Sequence, residues 1–354
     1  MENITLYPTF NVTPLNHTSG NTTDDYEDYG LSPENYFALL VYSLAFVLGT
    51  SGNGLVLWFT IFKMKKTVNV IWFLNLSIAD FTFTLFLPLS IIYLAYDFEW
   101  IFGAFMCKLN SSVAFINLFA SVFLLTIISI DRCISVIFPV WCQNHRTPKL
   151  ALFVVIGVWV LAIIFSLPYF IFRNTFEYFD GTFGCFNNFD LGEELEPDTE
   201  ELSPIGMSRH KGTAITRFLV GFLIPFIVIV SSYSIIALRI QRNHMTTSTK
   251  PFKVIIAVII SFFVCWFPYH VISLMELHAG NFSPNVFRVG APLTSSLAFI
   301  NSCINPFLYV FIGRDFKKKF WGSFHSIFEK AFNEDSLQKD LQNKTKSTSD
   351  SHVV

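Results

Sequence analysis

The chain has 354 residues, of which 52% are hydrophobic and 14% are charged, and its formal net charge is −2 at pH 7. This composition excludes a soluble globular protein, because so many apolar side chains exceed what a soluble core can bury. The composition indicates a membrane protein.

Seven apolar segments each exceed the ~20 residues that an α-helix needs to cross a bilayer. They are Tyr36–Phe62, Asn69–Tyr93, Phe105–Ile137, Lys149–Phe172, Thr213–Ile240, Phe252–Leu277 and Val286–Ile312. The sequence therefore predicts an all-α membrane protein whose seven-transmembrane helix bundle occupies residues 36–312.

Lysine and arginine are absent before Lys63 and then recur in alternate loops. The basic clusters are Lys63, Lys65 and Lys66; Arg146 and Lys149; Arg239, Arg242 and Lys250; and Arg314 with Lys317, Lys318 and Lys319. Because basic residues concentrate in cytoplasmic loops, these loops and the C-terminus are predicted to be cytoplasmic and the N-terminus extracellular. No apolar signal-peptide core precedes Tyr36, so we expect the first span to direct insertion into the plasma membrane.

Residues 1–35 are predicted to form an extracellular tail. Its candidate N-glycosylation sites, the second weakened by a following proline, are Asn3, Asn11, Asn16 and Asn21. The acidic cluster Asp24–Tyr29 would attract a basic partner and is a suitable context for sulfation of Tyr26 and Tyr29. The alternative is a disordered, solvated tail.

Asp80, in the second span, is the only carboxylate near mid-membrane depth, where a charge is costly unless it has partners. We therefore expect its side chain to face the bundle interior. Its candidate partners have side-chain oxygens that could coordinate an allosteric sodium ion: Asn53, Ser121, Asn301 and Asn305. The alternative is that Asp80 is only hydrogen-bonded or protonated.

Asp131 and Arg132 are adjacent at the inner end of the third span. Because both charges would be costly against lipid, they are predicted to form a pair inside the bundle, and that placement indicates a switch. The alternative is that they are interfacial charges that merely end a membrane helix.

The second outer loop, predicted from Arg173 to His210, is unusually long and therefore indicates a binding structure. Cys185 in this loop and Cys107 at the outer end of the third span share the oxidising side of the membrane. We predict that they form a disulfide that tethers the loop over a cavity. The cysteines predicted to be free thiols are Cys133, Cys142, Cys265 and Cys303.

Arg217 lies about two turns outward from Pro225 in the fifth span. One interpretation is an inward cation that binds an anionic ligand group, because the guanidinium fork can bind both oxygens of a carboxylate. The other is an arginine that extends to the outer headgroups.

Past the seventh span, Phe316, Phe320, Phe324 and Phe328 repeat every four residues among lysines. This pattern predicts a short amphipathic eighth helix over residues 313–328 on the inner membrane surface. Residues 329–354 are predicted to be a disordered cytoplasmic tail whose serines and threonines are candidate phosphorylation sites.

Motifs for a metal, a phosphate or a catalytic nucleophile are not found, so we expect neither enzymatic activity nor a cofactor beyond the sodium ion. A nucleic-acid partner is not expected either. A transporter is the rival class, but the seven spans show no obvious inverted repeat.

Six motifs occur in order along the predicted spans. They are Gly52-Asn53-Gly54, Leu76 to Asp80, Asp131-Arg132-Cys133, Trp159, Cys265-Trp266-Phe267-Pro268 and Asn305-Pro306-Phe307-Leu308-Tyr309. Together they resemble the rhodopsin-like G-protein-coupled receptors over residues 36–328. Longer stretches are most similar to the chemerin receptors of the chemoattractant branch, which is related to the formyl-peptide receptors: Lys63 to Asn69, Ser121 to Ser129, Cys185 to Phe189 and Thr216 to Leu219.

The resemblance implies an extracellular protein or peptide agonist, chemerin-like, whose free C-terminal carboxylate binds Arg217. Further candidates for ligand contact are Ser111, Phe115, Asn188, Tyr269 and Glu276. The implied activation-switch residues are Asp131, Arg132, Tyr233, Trp266, Asn305, Pro306 and Tyr309. Implied intracellular partners are an inhibitory-type heterotrimeric G protein, receptor kinases and arrestin, in chemotaxis and inflammation.

Two departures from the family pattern affect this reading. Cys133 stands where the family usually has tyrosine. The formyl-peptide receptors also have an inward acid on the third span and a second arginine above Arg217, where this chain has Ala114-Phe115-Ile116 and Thr213-Ala214. These residues argue against formyl-methionine peptides as the main ligand. The alternatives are a formyl-peptide or other chemoattractant receptor, or a non-signalling scavenger that internalises its ligand.

Overall fold

The computed structural model describes residues 31–178, 181–191, 202–242 and 250–312, and within these it leaves out the side chains of 250–254 and 309–312. The candidate glycosylation sites Asn3, Asn11, Asn16 and Asn21, the acidic cluster, the predicted amphipathic helix and the C-terminal tail lie outside the described residues.

The described residues form helices joined by short connections and one small hairpin. The helices are α1 (Pro33–Phe62), α2 (Val68–Ala95), α3 (Gly103–Ile137), α4 (Pro139–His145), α5 (Pro148–Ile171), α6 (Pro204–Phe218), α7 (Ile224–Arg242), α8 (Lys250–Met275) and α9 (Pro284–Ile312). The antiparallel hairpin is β1 (Arg173–Glu177) with β2 (Phe183–Asn187). A π-helical turn, Leu219–Leu223, joins α6 to α7 as one rod, and a 3-10 turn, Glu276–Asn281, extends α8.

Six rods in the described part of the chain are long and apolar enough to cross a membrane: α1, α2, α3, α5, the α6–α7 rod and α8 with its extension. The remaining long helix, α9, has 29 residues and packs against both α1 and α8. These seven rods correspond in order to the seven predicted spans. The prediction of an all-α, seven-transmembrane bundle is confirmed.

Local sequence explains where several helices begin. Thr67 and Thr147 each accept a hydrogen bond from a backbone N–H three residues on, which caps α2 and α5. Ser203 caps α6 in the same way and is followed by Pro204, whose fixed φ suits a first helical turn. Consequently α6 begins before the predicted span at Thr213. The prediction that the outer loop continues to His210 is wrong, because a strong cap starts the helix despite its polar first turns.

Helix α3 lies at the centre of the bundle and packs against α2, α5 and α7. Its inward face carries apolar residues such as Leu118, Leu124 and Ile128, all nearly inaccessible to solvent. By contrast, α5 exposes a row of large apolar side chains, including Phe153 and Ile156, as expected for a face in contact with lipid. The polar residues of α3 therefore lie where they can meet side chains from several other helices.

Alanine at Gly49 is expected to lower the thermal stability of the detergent-purified chain. A Cβ at this position would lie 2.5 Å from Cγ2 of Thr84, a fully buried side chain, so α1 and α2 would have to separate. We expect a loss of about 1–3 kcal/mol, measured as a lower melting temperature. Gly157→Ala is the matched control, because a Cβ there meets nothing within 4 Å. Equal losses in both variants would contradict the close packing of α1 on α2.

Candidate functional site

The second outer loop is tied to the top of α3 by a disulfide between Cys107 and Cys185. Cys185 lies in β2, opposite Thr175 of β1, so the bond holds the whole hairpin over the bundle. The backbone N–H of Trp100 also donates to the carbonyl of Phe183 at 2.6 Å. The predicted pairing is confirmed, and the other four cysteines are free, as predicted.

A cavity of about 60 Å³ lies beneath the hairpin. Aromatic side chains from α1, α2, α9 and the first outer loop form much of its wall: Tyr42, Phe83, Tyr93, Trp100 and Phe299. Its polar lining comes from serines and Asn110, and it includes Ser111, one of the predicted ligand residues. The cavity can take an apolar group whose polar end faces the loop.

Arg173, the first residue of β1, also lines this cavity and was missed by sequence reasoning. It is only 4% exposed. Its Nε donates to Sγ of Cys185 at 3.2 Å, and its Nη1 donates to Oδ1 of Asn187 at 3.1 Å. Burial lowers the pKa of this guanidinium to about 10, so it stays charged at neutral pH. The available signal was an isolated basic residue at the start of a loop that is otherwise acidic.

Arg217 is buried inside the bundle, with 6% of its surface exposed. Its Cζ lies 5.4 Å from the ring centroid of Phe115, 5.8 Å from that of Tyr169 and 5.2 Å from that of Tyr269. Its Nη2 donates to the hydroxyl of Ser273 on α8. The guanidinium thus points inward rather than toward the outer headgroups.

The predicted ligand residues do not all surround one cavity. Phe115 and Tyr269 contact Arg217, and buried Glu276 is close enough to attract its charge. Ser111 lies on the cavity beneath the hairpin, whereas Arg217 lines two other cavities next to α5, one of about 10 Å³ and one of about 270 Å³. The Asn188 side chain accepts from the backbone N–H of Leu191 at 2.9 Å and so supports the loop.

Phe115 also stacks on Tyr169, with ring centroids 3.3 Å apart and planes 16° apart. Tyr169 was not among the predicted residues. It comes from α5, whereas Phe115 comes from α3 and Arg217 from α6, so only the packing of these three helices brings the cluster together.

Asp80 is fully buried, and its carboxylate accepts hydrogen bonds from two asparagines and from Ser302. Nδ2 of Asn305 donates to it at 2.7 Å and Nδ2 of Asn117 at 3.1 Å. Asn305 was a predicted partner, whereas Asn117 was not. A signal was present, since Asn117 and Ser121 are four residues apart on one face of α3.

Four buried side-chain oxygens on α1, α3 and α9 have no hydrogen-bond partner among the described residues. They are Oδ1 of Asn53, Oγ of Ser121, Oδ1 of Asn301 and Oδ1 of Asn305. All four belong to the predicted sodium set. Neutral oxygen donors together with one carboxylate suit a hard, singly charged cation, so the residues present fit a sodium ion.

At the end of the bundle opposite the hairpin, Nη2 of Arg132 lies 3.1 Å from Oδ2 of Asp131. Helix α3 continues past both residues to Ile137, so these charges do not end the helix. Sequence reasoning missed two further members of the cluster, Asn69 and Arg146, whose side chains bond to the same pair. They come from the start of α2 and from the segment after α4.

The other predicted switch residues belong to α7, α8 and α9. Trp266 is buried, and its ring centroid is 5.6 Å from that of Tyr269, next to the Arg217 cluster. Tyr233 on α7 is close enough to Arg132 for electrostatic interaction. Pro306 lies against Gly52 of α1, so closely that a Cβ added at Gly52 would be 3.1 Å from its ring. The side chain of Tyr309 lies outside the described residues.

Comparisons with known proteins identify the family of the chain. Residues 52–309 match the family of 7 transmembrane receptors (rhodopsin family). The chain is 48% identical to chemerin-like receptor 1 of Homo sapiens over 318 residues, 85% of each chain. It is 50% identical to chemerin-like receptor 1 of Rattus norvegicus over 285 residues, which cover 80% of this chain and 77% of the relative. It is 43% identical to formyl peptide receptor 2 of Mus musculus over 309 residues, which cover 85% of this chain and 86% of the relative.

Proposed function

The chain belongs to the rhodopsin family of seven-transmembrane receptors, and we propose that its agonist is a chemerin-like protein or peptide with a free C-terminus. The protein is a multi-pass membrane receptor of the chemoattractant type and not an enzyme. The observation that carries the ligand proposal is the buried guanidinium of Arg217, which faces the bundle interior beneath the outer loop.

A carboxylate is the ligand group that suits Arg217. In this structure the guanidinium contacts three aromatic rings and donates to the hydroxyls of Ser273 and Tyr169. The negatively charged side chain of Glu276 attracts it electrostatically. A carboxylate could bind the guanidinium fork with two charge-assisted hydrogen bonds, which are stronger than the hydroxyl contact. A free C-terminus carries such a group on flexible backbone.

The cavity beneath the hairpin supports an apolar side chain near that carboxylate. Its wall is mostly apolar, with several aromatic rings, and Arg173 adds a second buried positive charge. An incoming peptide end would therefore meet positive charge at two depths. Ala114 lines the same cavity, so its wall is apolar where the formyl-peptide receptors have an inward acid.

Agonist binding requires the upper bundle to rearrange, because Arg217 and the cavity beneath the hairpin are separate in this structure. We propose that the agonist binds more tightly to an arrangement in which the two join. Such differential affinity shifts the population of receptor states. Trp266 touches Tyr269 and so connects the ligand cluster to the lower half of α8.

On the cytoplasmic side, we propose that α8 moves outward and Arg132 leaves Asp131 to engage an inhibitory-type G protein. The N-terminus is then extracellular and the C-terminus cytoplasmic, where receptor kinases and arrestin act on the tail. The intact Asp131–Arg132 pair supports signalling over the alternative of a scavenger receptor, because a receptor that only internalises its ligand does not need a switch for a G protein.

We also propose that a sodium ion binds beside Asp80, coordinated by Ser121, Asn301 and Asn305. Support comes from the buried oxygens that lack hydrogen-bond partners among the described residues. The ion would balance the charge of a carboxylate whose donors among the described residues, Asn117, Asn305 and Ser302, are all neutral.

In cells that express the full chain, a chemerin-type C-terminal peptide should stimulate nucleotide exchange on an inhibitory-type G protein. A formylated peptide should not. Surface expression and internalisation of labelled chemerin are measured in parallel. Uptake without exchange would favour the scavenger. A response to the formylated peptide alone would contradict the ligand assignment and leave the family unchanged.

Arg217→Ala should weaken the binding of the free-acid peptide by about 2–5 kcal/mol, because the ligand carboxylate loses a buried partner. Binding of the C-terminally amidated peptide should change little, so the two affinities converge. Competition binding on membranes measures both. Arg209→Ala is the matched control, since Arg209 is on the same helix and donates to the loop carbonyl of Phe189 at 2.9 Å. Equal losses for acid and amide would contradict the proposed anchor.

Sodium in place of potassium, at constant ionic strength, should raise the melting temperature of the detergent-purified chain. A cation that binds only the folded state stabilises it by mass action. Asp80→Asn should abolish the difference between the two salts because it removes the charged ligand. Asp131→Asn, which removes a carboxylate at the cytoplasmic end, should leave the difference intact. A wild-type chain indifferent to sodium would refute the site.

A further inference from the structure

The Asp131 carboxylate has a second cationic partner whose geometry is better than that of Arg132. Nε of Arg146 donates to Oδ1 at 2.7 Å, and its Nη2 donates to Oδ2 at 2.9 Å. This is a two-bond fork, whereas Arg132 reaches the same carboxylate through Nη2 alone, at 3.1 Å. The stronger partner of Asp131 is thus Arg146.

Asn69 connects the two guanidinium groups. Its Oδ1 accepts a hydrogen bond from Nη2 of Arg146 at 2.6 Å and another from Nη2 of Arg132. Two like charges that share one carboxamide oxygen repel each other. The repulsion works against Arg132 in particular, because Arg146 is fixed to the carboxylate by two bonds and Arg132 by one.

Local structure holds Arg146 in place. The short helix α4 ends just before it, and the backbone N–H of Arg146 donates to the carbonyl of Cys142 at 3.1 Å. Thr147 then caps α5. The backbone of Arg146 is therefore held between α4 and α5. Its side chain reaches back to Asp131 on α3.

This arrangement changes what happens when Arg132 leaves. If Arg132 were the only cation at Asp131, its departure would leave a largely buried carboxylate uncompensated, which is strongly unfavourable. With Arg146 in place, the carboxylate keeps its charge partner and both hydrogen bonds of the fork. The free energy needed to release Arg132 is smaller for this reason.

We propose that Arg146 is a positioning residue for signalling, which holds Asp131 neutralised and so allows Arg132 to leave for the G protein. The inference rests on the proposed G-protein function. The connection between α3 and α5, which carries Arg146, would then help to set how readily the switch responds. Arg146 acts through Asp131 and need not touch the G protein itself.

The test compares Arg146→Gln with Lys149→Gln in the full-length receptor. Lys149 is an exposed cation three residues further on and provides the same change in charge. In Arg146→Gln, Asp131 retains only Arg132, so the agonist concentration for half-maximal nucleotide exchange should rise by about fivefold or more. Lys149→Gln should match the wild type. An unchanged response in Arg146→Gln, or a rise in its exchange without agonist, would overturn the proposal.

The same substitution in an Asp131→Asn background tests whether the effect passes through Asp131. There Arg146→Gln should have little further effect, because no carboxylate remains to be neutralised. An equal shift in both backgrounds would mean that Arg146 acts elsewhere. Arg146→Lys keeps the charge without the fork, so it should shift the response in the same direction but less. It also serves if Arg146→Gln reaches the cell surface poorly.

A readout without a G protein separates this inference from the proposed function. Melting temperatures of the four purified chains, wild type, both single variants and the double variant, should show that the loss from Arg146→Gln largely disappears in the Asp131→Asn background. If the wild type fails to stimulate exchange with any agonist, the proposed function fails. Additive melting losses would instead refute the Arg146–Asp131 pair.

Discussion

Charged and polar groups buried inside the bundle need partners from other helices, because the surrounding lipid offers none. Asp80 on α2 is held by Asn117 of α3 and Asn305 of α9. Arg217 on α6 is held by rings from α3, α5 and α8. Each buried charge thereby ties several helices together, and any change in its partners must be shared among them.

This constraint supports the proposed coupling between ligand binding beneath the hairpin and the opposite end of the bundle. In the part of the chain that the structure describes, polar clusters lie at three depths: Arg217 near the outer loop, Asp80 in the middle and Asp131 at the inner end. Between the first two lies a tightly packed aromatic region that includes Trp266 and Phe262 on α8. Since packed cores shift between discrete arrangements rather than deforming smoothly, a change in one cluster favours a matching change in the next.

The outer and inner clusters differ in how firmly their cations are held. Arg217 is held by the hydroxyls of Ser273 and Tyr169 and by three ring faces, all neutral partners that a carboxylate can replace as the stronger acceptor. Arg146 has both ends of its fork on Asp131. The first arrangement suits binding of an incoming carboxylate, and the second suits a fixed counter-charge. The two arginines therefore have the same chemistry and opposite structural roles.

The sequence by itself determined the seven spans, the disulfide and most of the buried charges, because hydropathy, compartment and charge are properties of single residues or short segments. It also identified Arg217, Asp80 and the Asp131–Arg132 pair. Asn305 as a partner of Asp80, and the pairing of Asp131 with Arg132, were predicted, but tertiary structure alone decided their other partners. Tyr169, Asn69, Arg146 and Arg173 were missed because each meets its cluster from another helix or loop, so no periodic pattern along the chain connects them. Asn117 was also missed, although its position four residues before Ser121 on one face of α3 was a signal. Likewise, only packing showed that Ser111 and Arg217 line different cavities. Which cavity a side chain faces depends on how all seven helices assemble.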